Sequence, residues 1–191
     1  FVTLGQFSII RLERDAQLIV PVLALPSNLA LCVNPVDTYA KFKAEDGKVY
    51  IMAKALIEAC FPGQEVEIYE EMPGNALCGM HYEPLFDFAK GKVDKDAWFV
   101  VADNYVTMTD GTGIVHIAPA FGEDDNRVCR ENNVPFVNFV DNQGCMTEDT
   151  KWPGVFVKKA DPMVLEDLKE RDLLFKPQPF EHDYPFCWRC D

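Results

Sequence analysis

Four side chains within one short run could do chemistry together: His116, then Glu123, Asp124 and Asp125. The run reads Gly111-Thr112-Gly113-Ile114-Val115-His116-Ile117-Ala118-Pro119-Ala120-Phe121-Gly122-Glu123-Asp124-Asp125. Carboxylates in the first turn of a helix meet exposed backbone N–H groups and the positive end of the helix dipole, which favour their ionised form. A carboxylate held that way can grip a cation such as an ammonium. An imidazole on a neighbouring strand can bound a pocket or exchange a proton. Acidic helix starts and single strand histidines are also ordinary structural features, so spacing alone leaves a packed histidine and a solvated helix end open.

The flanking residues state which elements would position this set. Asp110-Gly111 supplies a turn, and Ile114, Val115 and Ile117 supply a β-branched strand. Pro119 ends the strand, and a helix beginning near Phe121 and running through Asn132 puts the three acids in its first turn. Elsewhere, strands are expected over 7–12, 17–23, 29–33, 65–70, 98–102, 105–108 and 136–140. A hairpin is expected from 39–43 and 48–52 around Glu45-Asp46-Gly47. Helices are expected over 53–60, stopped by Pro62-Gly63, and over 161–171, with Pro162 in the first turn. A turn is expected over 141–144. The pattern is that of a β-rich α/β domain.

The 191 residues suit one domain, and 48% hydrophobic content with 14 Phe and 3 Trp can fill a core. The chain opens at Phe1 and stops just past Cys187 and Cys190, so both ends are expected to be boundaries within a longer protein. No leader pattern and no run of about 18 apolar residues is present, which argues against a membrane partner. Seven cysteines at wide spacing form a poor disulfide framework and fit a reducing, cytoplasmic compartment. Cys32, Cys60, Cys78, Cys129 and Cys145 read as small buried apolar groups. Cys187-x-x-Cys190 could supply half of a zinc site. A net charge of −13 argues against strong autonomous nucleic-acid binding, because phosphate contacts need Lys and Arg. Lys41-Lys43 and Lys90-Lys92-Lys95 are each diluted by acids.

The string GTGIVHIAPAFGEDD resembles the signature of the editing domain of isoleucyl-tRNA synthetase. Three further segments are similar to that family: Leu25-Pro26-Ser27-Asn28-Leu29-Ala30-Leu31-Cys32-Val33-Asn34-Pro35, Tyr82-Glu83-Pro84-Leu85-Phe86, and His182-Asp183-Tyr184-Pro185-Phe186-Cys187-Trp188-Arg189-Cys190-Asp191. The resemblance implies one editing domain over residues 1–191 of a larger synthetase, with 182–191 starting the return to the catalytic body. The implied fold is a barrel-like β core with peripheral helices. The implied reaction is hydrolysis of the ester of misacylated Val-tRNA(Ile).

Roles carry over with the resemblance. Asp125 matches the aspartate that grips the α-ammonium of the misattached amino acid. His116 matches the histidine that lines the side-chain pocket and excludes isoleucine. Asn28 matches an asparagine at the edge of the adenosine site, although it also reads as a turn residue after Pro26-Ser27. Gly113 joins Asn28, His116 and Asp125 in the substrate-binding set, and Asp125 and His116 are the candidate catalytic residues. The implied partners are the 3′ end of tRNA(Ile) carrying a noncognate amino acid and the rest of the synthetase in cis. The editing domain itself is expected to need no cofactor. ATP belongs to the full-length synthetase, and zinc to a full-length site that Cys187 and Cys190 would half complete.

One departure bears on activity. The family carries Trp-Thr-Thr-Thr-Pro-Trp-Thr before Leu-Pro-Ser-Asn, whereas this chain has Leu18-Ile19-Val20-Pro21-Val22-Leu23-Ala24. The threonines expected at Ile19, Val20, Pro21 and Ala24 are gone, and apolar side chains cannot replace their hydroxyls. A catalytically degenerate domain, kept as a structural or tRNA 3′-end binding module, is therefore the alternative. A metal hydrolase built on His116, Asp124 and Asp125 is a third reading.

Overall fold

The computed structural model describes residues 3–11, 16–22, 29–109 and 111–180, with side chains over 16–17, 29–109 and 111–175. In chain order the strands are β1 (Thr3–Arg11), β2 (Gln17–Val22), β3 (Ala30–Val33), β4 (Thr38–Lys43) and β5 (Val49–Ala53). A 3₁₀ turn (Lys54–Leu56) and the one-turn helix α1 (Ile57–Cys60) lead to β6 (Glu67–Pro73), a 3₁₀ turn (Gly74–Leu77) and β7 (Phe99–Ala102). Then follow β8 (Ile114–Ile117), α2 (Glu123–Glu131), α3 (Val157–Glu170) and β9 (Leu174–Phe180). No helix among the described residues is long and apolar enough to cross a membrane.

Two sheets form, one of six strands in the order β6-β4-β5-β2-β1-β9 and one of three in the order β7-β3-β8. The β-rich α/β class holds. No closed barrel is found among the described strands.

The smaller sheet lies between two apolar layers, and the alternation of β3 shows why. Leu31 and Val33 join the core containing Tyr39, Phe42, Tyr50 and Met52 of the larger sheet. Ala30 and Cys32 join the core containing Val128 and Cys129 of α2. A strand buried on both faces reads as an unbroken apolar run, and all four residues of β3 are buried. Directly opposed residues of an antiparallel pair share a face, and His116 pairs with Leu31. His116 therefore faces the larger sheet, as Ile114 does, while Val115 and Ile117 face α2. On the larger sheet's side, β2 packs against β8.

Four expectations need correction. Residues 105–108 are not a strand, because Asp103 captures the backbone: its carboxylate accepts the Tyr105 N–H (3.0 Å) and its carbonyl the Val106 N–H (3.4 Å). Residues 136–140 form no strand beyond a single bridge of Val140 to Met146. The last helix starts at Val157, four residues early, with Pro162 inside it. The helix expected over 53–60 is a 3₁₀ turn followed by a single α turn. Cys32, Cys60 and Cys129 are buried as expected, but Cys78 is exposed and Cys145 only half-buried.

Candidate active site

The candidate residues lie along β8 and at its two ends, His116 on the face toward the larger sheet and Asp125 on α2, which packs on the other face. At the entry of β8, Gly111 and Gly113 adopt φ values of +69° and +72°, a region that favours glycine. The Tyr39 hydroxyl donates to the Gly113 carbonyl, and the Ala53 N–H donates to the Thr112 carbonyl (3.0 Å), so β4 and β5 both hold this turn. A Cβ on Gly113 would lie 2.5 Å from Ala53 Cβ and 3.0 Å from Met108 Sδ. Gly113 is thus a close-packed turn glycine. Met108, with Asp37, Thr38, Lys54 and Ala55, lines a cavity of about 410 Å³ beside it. Gly113→Ala combines a forced backbone angle with overpacking, so we expect a loss of about 2–4 kcal/mol in stability, measured as a fall in the urea midpoint.

His116 is 3% exposed, and neither ring nitrogen has a hydrogen-bond partner among the described residues. Burial pushes its pKa down to about 3, so the ring is neutral at physiological pH.

At the exit of β8 the chain turns through Ala118–Phe121, closed by the Phe121 N–H on the Ala118 carbonyl (3.0 Å). Gly122 caps α2, which places Glu123, Asp124 and Asp125 in its first turn as expected. Only Asp125 turns inward. Its Oδ2 accepts the Ala118 N–H (2.9 Å), and its Oδ1 lies 3.4 Å from the Tyr105 hydroxyl, which donates to it. A Cβ on Gly122 would lie 3.0 Å from the Asp125 Cγ, so the carboxylate rests directly on the capping glycine. Asn126 completes the clasp by donating its Nδ2 to the Pro119 carbonyl (2.9 Å).

The electrostatics of Asp125 differ from the expectation of a carboxylate simply held ionised. Burial pushes its pKa up, and this outweighs the hydrogen bonds from Ala118 and Tyr105 that pull it down. A helix start contributes only about 0.3–1 kcal/mol at an exposed site, less than desolvation can cost. The nearest arginine on α2 does not relieve this. Arg127 binds Asp103 (2.9 and 3.1 Å), Asp124 (3.2 Å) and Glu131 (3.3 Å). Asp125 has no cationic partner among the described residues, so an arriving cation gains most there.

Asp124 points instead to Arg127, and no group of three His, Cys, Asp or Glu residues that could hold a metal ion occurs among the described residues. That separates His116, Asp124 and Asp125 as a metal set. Ile19, Val20 and Pro21 lie in β2, paired with Ile9, Ser8 and Phe7 of β1. Asn28, Ala24, Asp110, Cys187 and Cys190 lie outside the described residues. The sequence reading missed Asp103, Tyr105 and Arg127. The Asp103-Asn104 pair is the one local signal, since Asp and Asn initiate turns by bonding the backbone two residues on.

No family model matches the chain. It is 46% identical over 170 residues to the isoleucine–tRNA ligase of Clostridium kluyveri and 45% identical over 176 residues to the cytoplasmic isoleucine–tRNA ligase of Mus musculus. Each match covers 87% of this chain but only 16% and 14% of those relatives, so the chain spans about one sixth of their length. Among solved structures, the editing domain of the cytosolic leucyl-tRNA synthetase of P. knowlesi is similar at a TM-score of 0.70 and 11% identity, covering 94% of this chain and 97% of that one. The structure titled GlLeuRS-CP1 is similar at 0.65 and 12% identity, covering 96% of this chain and 99% of that one. The chain is homologous to one segment of the isoleucine–tRNA ligases, and its fold is similar to that of the leucyl-tRNA synthetase editing domains.

Proposed function

We propose that this segment is the editing site of an isoleucine–tRNA ligase, hydrolysing the ester of valine misattached to tRNA(Ile). Isoleucine and valine differ by one methylene, worth about 1–3 kcal/mol in an apolar pocket, a magnitude known from the isoleucyl enzyme itself. A second site that admits the smaller product and cleaves it makes up the shortfall. The observation that carries this reading is Asp125, a half-buried carboxylate held at both oxygens with no cationic partner among the described residues. It suits the α-ammonium of an aminoacyl ester. Water attacks the ester carbonyl, the tetrahedral intermediate collapses, and valine and the free ribose hydroxyl leave. His116, neutral and buried, bounds the side-chain pocket by shape. Asn28 would stand at the edge of the adenosine site, and Gly113 would serve by holding the turn that opens β8. The 3′ end of tRNA(Ile) is delivered by the rest of the synthetase in cis, in the cytoplasm. In that larger protein ATP would serve the synthetase reaction, and Cys187 and Cys190 would supply half of a zinc site.

A specific observation also favours the degenerate reading. The nitrogens of His116 have no hydrogen-bond partner among the described residues and lie on β8, against which β2 packs, and the sequence of β2 carries no hydroxyl. The test is deacylation of Val-tRNA(Ile) by the full-length synthetase against its Asp125→Ala variant. Hydrolysis that collapses in the variant supports editing, and wild-type hydrolysis no faster than buffer leaves a binding module. Positions 19 and 21 share one face of β2. We expect Ile19→Thr with Pro21→Thr to raise the deacylation rate at least about tenfold, since positioning a reacting water is worth orders of magnitude. No gain in a folded variant would show that more than these two hydroxyls is missing.

A further inference from the structure

Asp125 and Arg127 leave α2 two residues apart, yet both reach the same loop. Arg127 grips the two carboxylate oxygens of Asp103 from Nη1 and Nη2 (2.9 and 3.1 Å). Asp103 is tied to the end of β3 by its N–H on the Val33 carbonyl (3.0 Å), and its Oδ1 holds the Tyr105 N–H (3.0 Å). Tyr105 then returns its hydroxyl to Asp125 Oδ1 (3.4 Å). The circuit α2–Arg127–Asp103–Tyr105–Asp125–α2 is closed.

The direction of the last contact follows from the neighbours. Burial raises the pKa of the Tyr105 phenol, so it stays protonated and must donate. Its two acceptors are Asp125 and Cys32, and burial pushes the Cys32 thiol up to about 12. A thiol is a weak acceptor. The carboxylate takes the proton donor.

We propose that Tyr105, carried by the Asp103–Arg127 pair, is a positioning residue for Asp125 and holds its carboxylate in the orientation that receives the substrate ammonium. Ala118 N–H fixes Oδ2 from the strand side and Tyr105 fixes Oδ1 from the loop side, leaving no free rotation of the carboxylate. The contact is long as it stands, and such bonds tighten when the site fills. Because the hydroxyl also favours the charged form, Tyr105 pulls the Asp125 pKa down against the burial that raises it. The other groups facing that carboxylate are Asp124 and Cys129 from α2 and Cys32 from β3. The proposal rests on the reading of Asp125 as the ammonium site.

The experiment uses the full-length synthetase and measures, against pH, both Val-tRNA(Ile) deacylation and binding of valyl-adenosine in which an amide replaces the ester. Wild type is compared with Tyr105→Phe, Arg127→Gln and Asp125→Ala. We expect Tyr105→Phe to weaken Asp125-dependent binding and turnover about five- to tenfold on the acid limb, with that limb moved to higher pH. Arg127→Gln should move it the same way and covers the case in which Tyr105→Phe does not fold. A silent Asp125→Ala defeats the functional reading and the proposal with it. An Asp125-dependent enzyme whose Tyr105→Phe and Arg127→Gln acid limbs match wild type overturns the proposal alone. An enzyme that does not hydrolyse is decided by the binding limb.

Discussion

Asp125→Asn is expected to lower kcat/KM for Val-tRNA(Ile) deacylation by the full-length synthetase about 100-fold or more. The amide has nearly the same shape, so packing against Gly122 is kept, but it carries no charge to meet an ammonium. Removing one partner of a desolvated charge pair costs about 2–5 kcal/mol, and each 1.4 kcal/mol is tenfold. Two controls separate charge from shape. Glu123→Gln, exposed in the same turn, should stay close to wild type. A substrate bearing an α-hydroxyl in place of the ammonium should be nearly indifferent to Asp125→Asn. The pH dependence has a definite sign. On the proposed reading only the ionised carboxylate would hold the ammonium, and burial has raised its pKa, so activity should fall on acidification at a pH above the ordinary carboxylate range. That acid limb should flatten in Asp125→Asn. Equal loss of activity on the α-hydroxyl substrate would mean that Asp125 serves the fold, not the ammonium.

The parts of this site legible in the sequence are those fixed by local rules. The strand of His116 follows from three β-branched residues bounded by glycines and Pro119, and α2 follows from the acids that open it after Pro119. The hairpin of β4 and β5 follows from alternation around an Asp-Gly turn. What misled the reading were apolar alternations whose backbone bonds go elsewhere. Tyr105-Val106-Thr107-Met108 has strand composition, but the Asp103 carboxylate and carbonyl take the first two N–H groups. Phe136 to Val140 alternates because Phe139 packs into the core while Phe136 stays exposed, a pattern of burial without a partner strand. The early start of α3 depended on Pro162 being tolerated past the first turn, against its usual place. Tyr105 was invisible for another reason: its meaning depends on α2 and β3 arriving beside it, and no short-range spacing encodes that.

His116 is expected to make this chain unusually acid-labile, and His116→Leu to remove much of that lability. The sign follows from linkage. The buried ring binds its proton only near pH 3, whereas an unfolded histidine binds it near pH 6.5. Between those values the unfolded chain holds more protons than the folded one, so stability rises with pH there. The contribution is complete above pH 6.5 and is lost as the pH falls toward 3. At 1.36 kcal/mol per pH unit, acidification from pH 7.5 to pH 4.5 costs about 3 kcal/mol through this one residue, a sizeable part of a domain's total. Carboxylates titrate in the same window, so the informative quantity is a difference. Urea midpoints of wild type and His116→Leu, measured from pH 4.5 to 7.5, should diverge as the pH falls, with the variant the more resistant. The variant also removes two buried polar nitrogens that lack partners, so it should lose little at pH 7.5. On the proposed editing reading the same substitution reads out on specificity: a neutral ring would act on substrate by volume, so Leu, of similar bulk, should still reject isoleucine where His116→Ala admits it. Parallel stability curves for wild type and His116→Leu would mean that the ring finds water or a partner in solution, and the pocket it bounds would then be polar.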